Sequence, residues 1–529
     1  MQFKILSIAS LFMVLILSSC FSELDQAPDN ENLLTDEAFF SNPESYRQFL
    51  AKLYAGLATT GQSGPAGSPD ISGIDEGFSQ YIRGYWNMQE LTTDEAIIAW
   101  NDATIKDFHY HTWSSLDVFI NATFSRLSFQ VVNCNEFLRQ TTDEKLDSRG
   151  VTGTLRDQIQ EYRAEARFLR ALSYWHIVDM FGGASLVTED SPATYNLPAY
   201  ATRAELFAFI DEELTNLTPA LKTPGTNEKF RVDQAAAWML KAKLYMNAQV
   251  YIGQDKYADA VPFINNILAS NYALHSSYEE LFLADNGTNG AQNEFIFAVA
   301  FDGIYIKTFG GTTYLTHAPV GGSMSPAVHG INGGWGGIRT TAAFVDKFEV
   351  GTQDSRAQFY TAGQTKEIVN VGSFTDGYAI SKWKNVDVNG NQGSDSSGDF
   401  VDIDFPMFRL ADAYLMYAEC AARGSANISD AVGYVNDLRQ RAYGGTSGNI
   451  TAGDLTLDFI LDERARELHW EGHRRTDLIR FGKFTGGSYL WPWKGNVANG
   501  APTPQYRNLF PIPSNALVGN PLLQQNPGY

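Results

Sequence analysis

Two stretches of the chain set aromatic residues among glycines and short polar residues, where neither a helical nor a strand period can bury them all. The first, QYIRGYWNMQELTTDEAIIAWNDATIKDFHYHTW (80–113), carries Arg83, Trp86, Trp100, Asn101 and Asp102. The second, YIKTFGGTTYLTHAPVGGSMSPAVHGINGGWGG (305–337), carries Phe309, Tyr314 and Trp335 on glycine-rich loops. Flat aromatic faces beside planar hydrogen-bonding groups suit a neutral sugar, whose C–H face stacks on a ring while its hydroxyl rim takes the donors. Glycine leaves such a face uncovered and lets backbone approach it. For each aromatic taken singly, packing against the body of the protein is the competing reading.

Signatures of bond-breaking chemistry are missing. No G-x-S-x-G elbow, phosphate-cradling loop, H-E-x-x-H or C-x-x-C occurs. HWEGH places His469 and His473 one helical turn apart, and HYH offers His109 and His111, but Glu467, Glu471, Arg474, Arg475, Asp477 and Arg480 around the former read as an ion-pair lattice. Among 60 acidic residues no glycosidase pair can be singled out. DNGTNG (285–290) has half of a calcium loop, with Gly287 at the third position and Ile296 at the twelfth, so an Asx-turn is the reading and a structural calcium ion is left open. These residues predict no catalytic group, no metal ligand and no cofactor.

Formal charge is −21, which repels phosphate backbones and excludes nucleic acid as the natural partner. The N-terminus, MQFKILSIASLFMVLILSSC, has a basic start, an apolar run from Ile5 to Leu17 and small residues before Cys20, too short for a membrane span. It reads as a signal peptide over 1–19 with Cys20 as the acylated first residue of a lipoprotein. Buried acyl chains contribute about 0.8 kcal/mol per CH2, so several on one cysteine anchor firmly to a membrane. The polar, acidic segment after Cys20 suits a tether. Cys134 and Cys420 lie in helical patterns and read as buried thiols.

The elements that must position the aromatic stretches are helical. Apolar residues recur at helical spacing over 35–57, 118–140, 155–183, 203–217, 233–253 and 256–269, the last two resembling a tetratricopeptide hairpin. Between 271 and 406 the period stops, turn residues rise, and EFIFAVAF, EIVNVG and YAISKW read as short strands. Helices return at 405–424, 429–442 and 457–482, and a Pro-rich tail is expected to strap the body. The expected organisation is a mainly α chain: signal peptide 1–19, an N-terminal helical body 20–270 with the first ligand segment, a loop-rich ligand lobe 271–406, and a C-terminal helical part with tail, 407–529.

SSC at 18–20, LYAGL (53–57), AEARFLRALSYWHIVDMFGG (164–183), FRLADAYLMYAE (408–419), ERARELHWEGHRRTDLIRFG (463–482) and PIP (511–513), in that order, resemble the SusD/RagB family of outer-membrane nutrient-binding lipoproteins. Within it, TGQSGPAGSPDISGIDEG, NMQELTTDEAIIAW, FGGTTYL, NGGWGG and YLWPWKG resemble the starch-binding member. The resemblance implies a non-enzymatic body of four tetratricopeptide-like hairpins, surface-exposed on the bacterial outer membrane through its lipid anchor. It also implies a SusC-like TonB-dependent transporter as partner and starch or malto-oligosaccharide as ligand. Residue by residue, it implies glycan contacts at Arg83, Trp100, Phe309 and Trp335. Ile98 stands where the starch member has a second Trp and Ala103 where it has an Asn, leaving Asn101 or Asp102 to substitute. Another glucan or a fructan, a surface glycoside hydrolase, and a peptide-binding interaction protein are the alternatives.

Overall fold

The computed structural model describes residues 35–191, 196–348 and 353–529, so the signal peptide and Cys20 lie outside the described residues. The helices of the N-terminal half are α1 (Glu44–Ala58), α2 (Tyr81–Glu90), α3 (Val118–Gln140), α4 (Gly153–Phe181), α5 (Arg203–Leu217), α6 (Gln234–Met246) and α7 (Tyr257–Leu268). A short α8 (Gly311–His317) lies in the loop-rich region, followed by α9 (Leu410–Ala422), α10 (Ile428–Tyr443), α11 (Leu457–Leu468), α12 (Arg474–Arg480) and α13 (Ser514–Gly519). Sequential helices pack in pairs: α3 on α4, α4 on α5, α6 on α7, α9 on α10, with α7 and α11 both against α9. This is the hairpin stacking expected from the sequence, in which each unit buries its apolar face on a neighbour.

Local signals explain most boundaries. The Asp117 carboxylate accepts from Phe119 N and Ile120 N to start α3, and Gly182, at φ 78°, stops α4. Four of the expected helices shift. The helix expected over 35–57 breaks into Asp36–Phe40 and α1 at the turn before Pro43. The one expected over 233–253 breaks at Asn247, whose side chain bonds back to Lys243 O. Residues 405–409, expected to begin a helix, form a strand. Proline at 406 pushes Phe405 into extended backbone, and Phe405–Arg409 (β4) then pairs antiparallel with Phe295–Val299 (β2), Phe295 opposite Arg409 and Val299 opposite Phe405. EIVNVG forms no strand, and YAISKW contributes only Ala379–Ile380.

The fourth shift matters most. The helix expected over 457–482 is interrupted at 469–473, where Trp470 takes φ 61° and Gly472 φ 84°. Left-handed backbone at a tryptophan costs about 1–3 kcal/mol. Hydrogen bonds to the segment after α2 offset it: Trp470 N and Nε1 donate to Glu95, Gly472 N and His473 N donate to Glu90 Oε1 at 2.6 and 2.9 Å, and Trp86 Nε1 donates to Trp470 O. The turn thereby grips the chain just before it reaches Trp100.

The acidic and basic residues read as a lattice are indeed paired, but inside the protein. Arg409 meets Glu471, Glu467 and Glu294 at 2.6, 2.7 and 2.9 Å, Arg356 meets Asp354 and Glu463, and Lys382 meets Glu471 at 2.8 Å. All of these are buried. Burial would raise the Glu471 carboxyl, yet Arg409 and Lys382 hold it below its ordinary value, and burial pulls Lys382 down to about 8. The lattice joins residues of the loop-rich region to α11 and to the turn after it. The C-terminal tail straps the body as expected: Phe510 N donates to Met180 O, and Asn526 Nδ2 donates to Phe181 O and Phe510 O. Cys134 and Cys420 are buried, unpaired thiols.

Candidate functional site

The two aromatic stretches meet through a minimal sheet. Ile97–Ile98 (β1) pairs antiparallel with Ile338–Arg339 (β3), Ile97 opposite Arg339 and Ile98 opposite Ile338, and Ala99 N donates to Gly337 O at 2.8 Å. The next residue on one side is Trp100 and, two residues before Gly337 on the other, is Trp335. Their ring centroids lie 6.3 Å apart at 45°, and Trp100 Nε1 donates to Trp335 O at 3.0 Å. Both indoles are half-buried.

The glycines around Trp335 do more than uncover it. Gly336 takes φ 57°, and a Cβ on Gly337 would stand 2.3 Å from Trp100 Cε2, so only glycine admits the Trp100 indole against this backbone. Beneath Trp335 lies His317, at the end of α8: the rings stack at 4.9 Å and 24°. Trp335 N donates to His317 O at 2.8 Å, and His317 Nδ1 bonds Gly333 O at 2.7 Å. His317 is buried, its Nε2 has no hydrogen-bond partner among the described residues, and burial lowers its basicity. Beside this stack Asn332 Nδ2 donates to the exposed Asp399 carboxylate.

Arg83 lies on the other flank. Its guanidinium sits 4.3 Å from the Tyr314 ring centroid and donates to Phe309 O at 3.3 Å. Burial lowers the guanidinium, partly offset by Tyr314, Asp75 and Asp102. Phe309 is 37% exposed and its ring packs 5.5 Å from Phe400. Tyr314 departs from expectation. It stands within α8 rather than on a loop, is 0% exposed, and donates its hydroxyl to Asn87 Oδ1 at 2.9 Å. It offers no face to a ligand and instead supports Arg83 and Trp100, whose ring is 6.2 Å away. Asn101 and Asp102 are exposed beside Trp100, with Asn101 Oδ1 accepting from Lys106 Nζ.

The substituted positions also resolve. Ile98 is wholly buried in the core, so its side chain does not reach the surface in this backbone. Ala103 has φ 41°, a conformation that favours Asn or Gly over Ala.

Sequence reasoning missed His317, which the THAP segment gave no reason to separate from its neighbours. It also missed Tyr305. That ring is 87% exposed at the tip of a hairpin held by Asp302, whose carboxylate accepts from Ile304 N and Tyr305 N. The Asp-Gly pair at 302–303 was the available signal.

The metal candidates dissolve on inspection. His469 and His473 sit on opposite sides of the broken helix and are buried, as are His109 and His111. At 285–290 the Asp285 carboxylate is taken by Asn289 Nδ2 and Val388 N. A Cβ on Gly287 would stand 2.3 Å from Lys229 Nζ and 2.4 Å from Asp404 Oδ2, so an ammonium already sits against this loop and the residues do not fit a calcium ion. Among the described residues no group of three or more His, Cys, Asp or Glu side chains could hold a metal, and no helix is long and apolar enough to cross a membrane.

A stacked-hairpin helical body that presents a pair of half-buried indoles flanked by an arginine is the arrangement of a binding surface. Comparison with known proteins agrees. The SusD family model matches residues 352–529. The chain is 35% identical to the starch-binding protein SusD of Bacteroides thetaiotaomicron, over 97% of this chain and 96% of that one. It is 24% identical to SusD-like protein P25 of Formosa agariphila, over 97% of both. Surface glycan-binding protein A of Bacteroides fluxus superposes with a TM-score of 0.69 at 20% identity, covering 92% of this chain and 100% of that one. The first and the last of these are named for binding starch and glycan. The chain belongs to the SusD/RagB family.

Proposed function

We propose that this chain is a surface-exposed outer-membrane lipoprotein that captures an α-glucan, starch or malto-oligosaccharide, and delivers it to a SusC-like TonB-dependent transporter. The observation that carries the reading is the meeting of Trp100, Trp335 and Arg83 on one open surface. Two indoles at an angle follow a curved chain of sugars better than a flat one, and Arg83, Asn101 and Asp102 supply planar hydrogen-bonding groups at the margin. The 35% identity along nearly the whole length to a starch-binding protein supports the same ligand. Capture needs no bond broken, so the residues act by stacking and by hydrogen bonds alone. The lipid anchor at Cys20 rests on the N-terminal sequence, and the transporter on the family.

Affinity electrophoresis tests the reading. Wild type should be retarded in gels containing amylopectin, and Trp100→Ala and Trp335→Ala should each lose about tenfold in affinity or more. Equal migration of all three proteins in amylopectin, laminarin and levan gels would sink the glycan reading. Retardation in laminarin or levan alone would transfer it to another glucan or to a fructan. Release of reducing ends from any of these polymers would replace binding by hydrolysis.

A further inference from the structure

Apart from the aromatic surface, a partly open cavity of about 610 Å³ lies between the loop 224–231 that leads into α6, the segment after α7, and β2. Its volume falls within the range of about 300–1,000 Å³ usual for small-molecule sites. Phe230 and Tyr272, both half-buried, present rings to it, and Asn271, Gln292 and Asn293 stand at its wall. On the far side of Phe230 an apolar cavity of about 280 Å³ shares Lys229, Phe230 and Phe297 as a common wall. Phe230 holds that position with φ 65°. A bulky residue in left-handed backbone costs about 1–3 kcal/mol and persists where the surroundings dictate it, a pattern concentrated at functional sites.

The chemistry of the wall selects the ligand. Most of its charged groups are already matched: Arg231 pairs with Glu165 and Glu228, and Asp233 accepts from Tyr272 OH and Gly225 N at 2.8 Å each while capping α6. The Lys229 ammonium lies over the Phe230 ring, near Asp404. The other uncommitted groups are neutral. Among the described residues the side chains of Asn271 and Asn293 make no hydrogen bond, and Gln292 uses only Oε1, which accepts from Gly290 N, leaving its NH2 free. Free planar amides beside two aromatic rings suit a neutral polyhydroxylated molecule.

We propose that this cavity is a second carbohydrate site, separate from the Trp100–Trp335 surface, which takes one or two neutral sugar units where the open surface takes a chain. Its residues are not those of the open surface, so the two stand or fall independently.

Isothermal titration with glucose, maltose, cellobiose and sucrose tests it. The background is Trp100→Ala/Trp335→Ala, which removes the open surface. That double variant should retain saturable one-site binding of at least one of these sugars at millimolar concentration. Adding Asn271→Ala and Asn293→Ala, both on exposed side chains, should weaken the retained binding at least about tenfold with the melting temperature unchanged. Phe230→Gly, which relieves the left-handed backbone, should weaken it likewise. Absence of saturable binding in the double variant overturns the proposal, as does retained binding that ignores the Asn271, Asn293 and Phe230 changes. If wild type and the double variant also migrate alike in amylopectin gels, the open-surface reading fails, and the same three changes made in wild type then decide the cavity.

Discussion

Gly337→Ala adds one methyl group at the junction of the two aromatic stretches, and its effect can be worked from distances. The new Cβ would fall 2.3 Å from Trp100 Cε2, 2.5 Å from Cζ2 and 2.7 Å from Nε1. Ordinary contact begins near 3.4 Å, so the indole must retreat by about 1 Å, because Gly337 is fixed by its carbonyl's bond from Ala99 N and by β3 immediately after it. Retreat breaks the Trp100 Nε1 bond to Trp335 O, worth about 0.5–1.5 kcal/mol net, and adds about 1–3 kcal/mol of overpacking. The chain's stacked helices and buried lattice lie away from this contact, so the loss appears chiefly as displaced binding groups. The expected result is amylopectin affinity down about tenfold or more, near that of Trp100→Ala, with the thermal transition lowered by only a few degrees. Differential scanning calorimetry and affinity electrophoresis on the same samples read both quantities. Wild-type affinity in a folded Gly337→Ala protein would refute the placement of Trp100 against this backbone and with it the paired-indole surface.

His317→Ala removes the ring beneath Trp335, whose stacking is worth about 0.5–1.5 kcal/mol, so glucan affinity should fall roughly two- to tenfold while His317→Phe restores most of it. Glu90→Gln should flatten the pH dependence of stability. Burial pushes the Glu90 carboxyl up to about 7, so its contribution is fully present below about pH 4.5 and is lost as pH rises through 7. The wild-type melting temperature should therefore drop between pH 5 and 8, by an amount set by at most on the order of 3 kcal/mol, and Gln, which keeps the acceptor for Gly472 N and His473 N, should show a shallower drop. Chelation of divalent cations should leave the melting temperature unchanged, because Lys229 supplies the positive charge at the 285–290 loop, whereas Lys229→Met should lower it.

The helical body was legible wherever a local signal coincided with a boundary. Helices α3 and α5 run as the period predicts, since Asp117 and Thr202 cap them and nothing distant competes. Where distant partners compete, the period misleads. FPMFR reads as the start of a helix until β2 offers it a ladder, and HWEGH reads as one continuous helix until Glu90 and Glu95, almost 400 residues away in sequence, claim its backbone amides. The candidate site divides the same way. Trp100 and Trp335 stay half-buried, whereas Trp86 of the first stretch is wholly buried because Trp470 O, far along the chain, takes its Nε1. Tyr314 was misjudged because its burial depends on Asn87 and Arg83, and His317 was invisible because its role depends on a ring eighteen residues further on.

The buried lattice around Arg409 sets how the chain can move. Separating the loop-rich region from α11 and the turn after it would break the buried Arg356–Glu463 and Lys382–Glu471 pairs and leave Lys382 without an ion partner, and an uncompensated buried charge costs about 3–5 kcal/mol. Thermal motion does not readily supply such a loss. The surface that carries Trp100 and Trp335 is therefore tied to the helical body, and the loop-rich region and α11 move together.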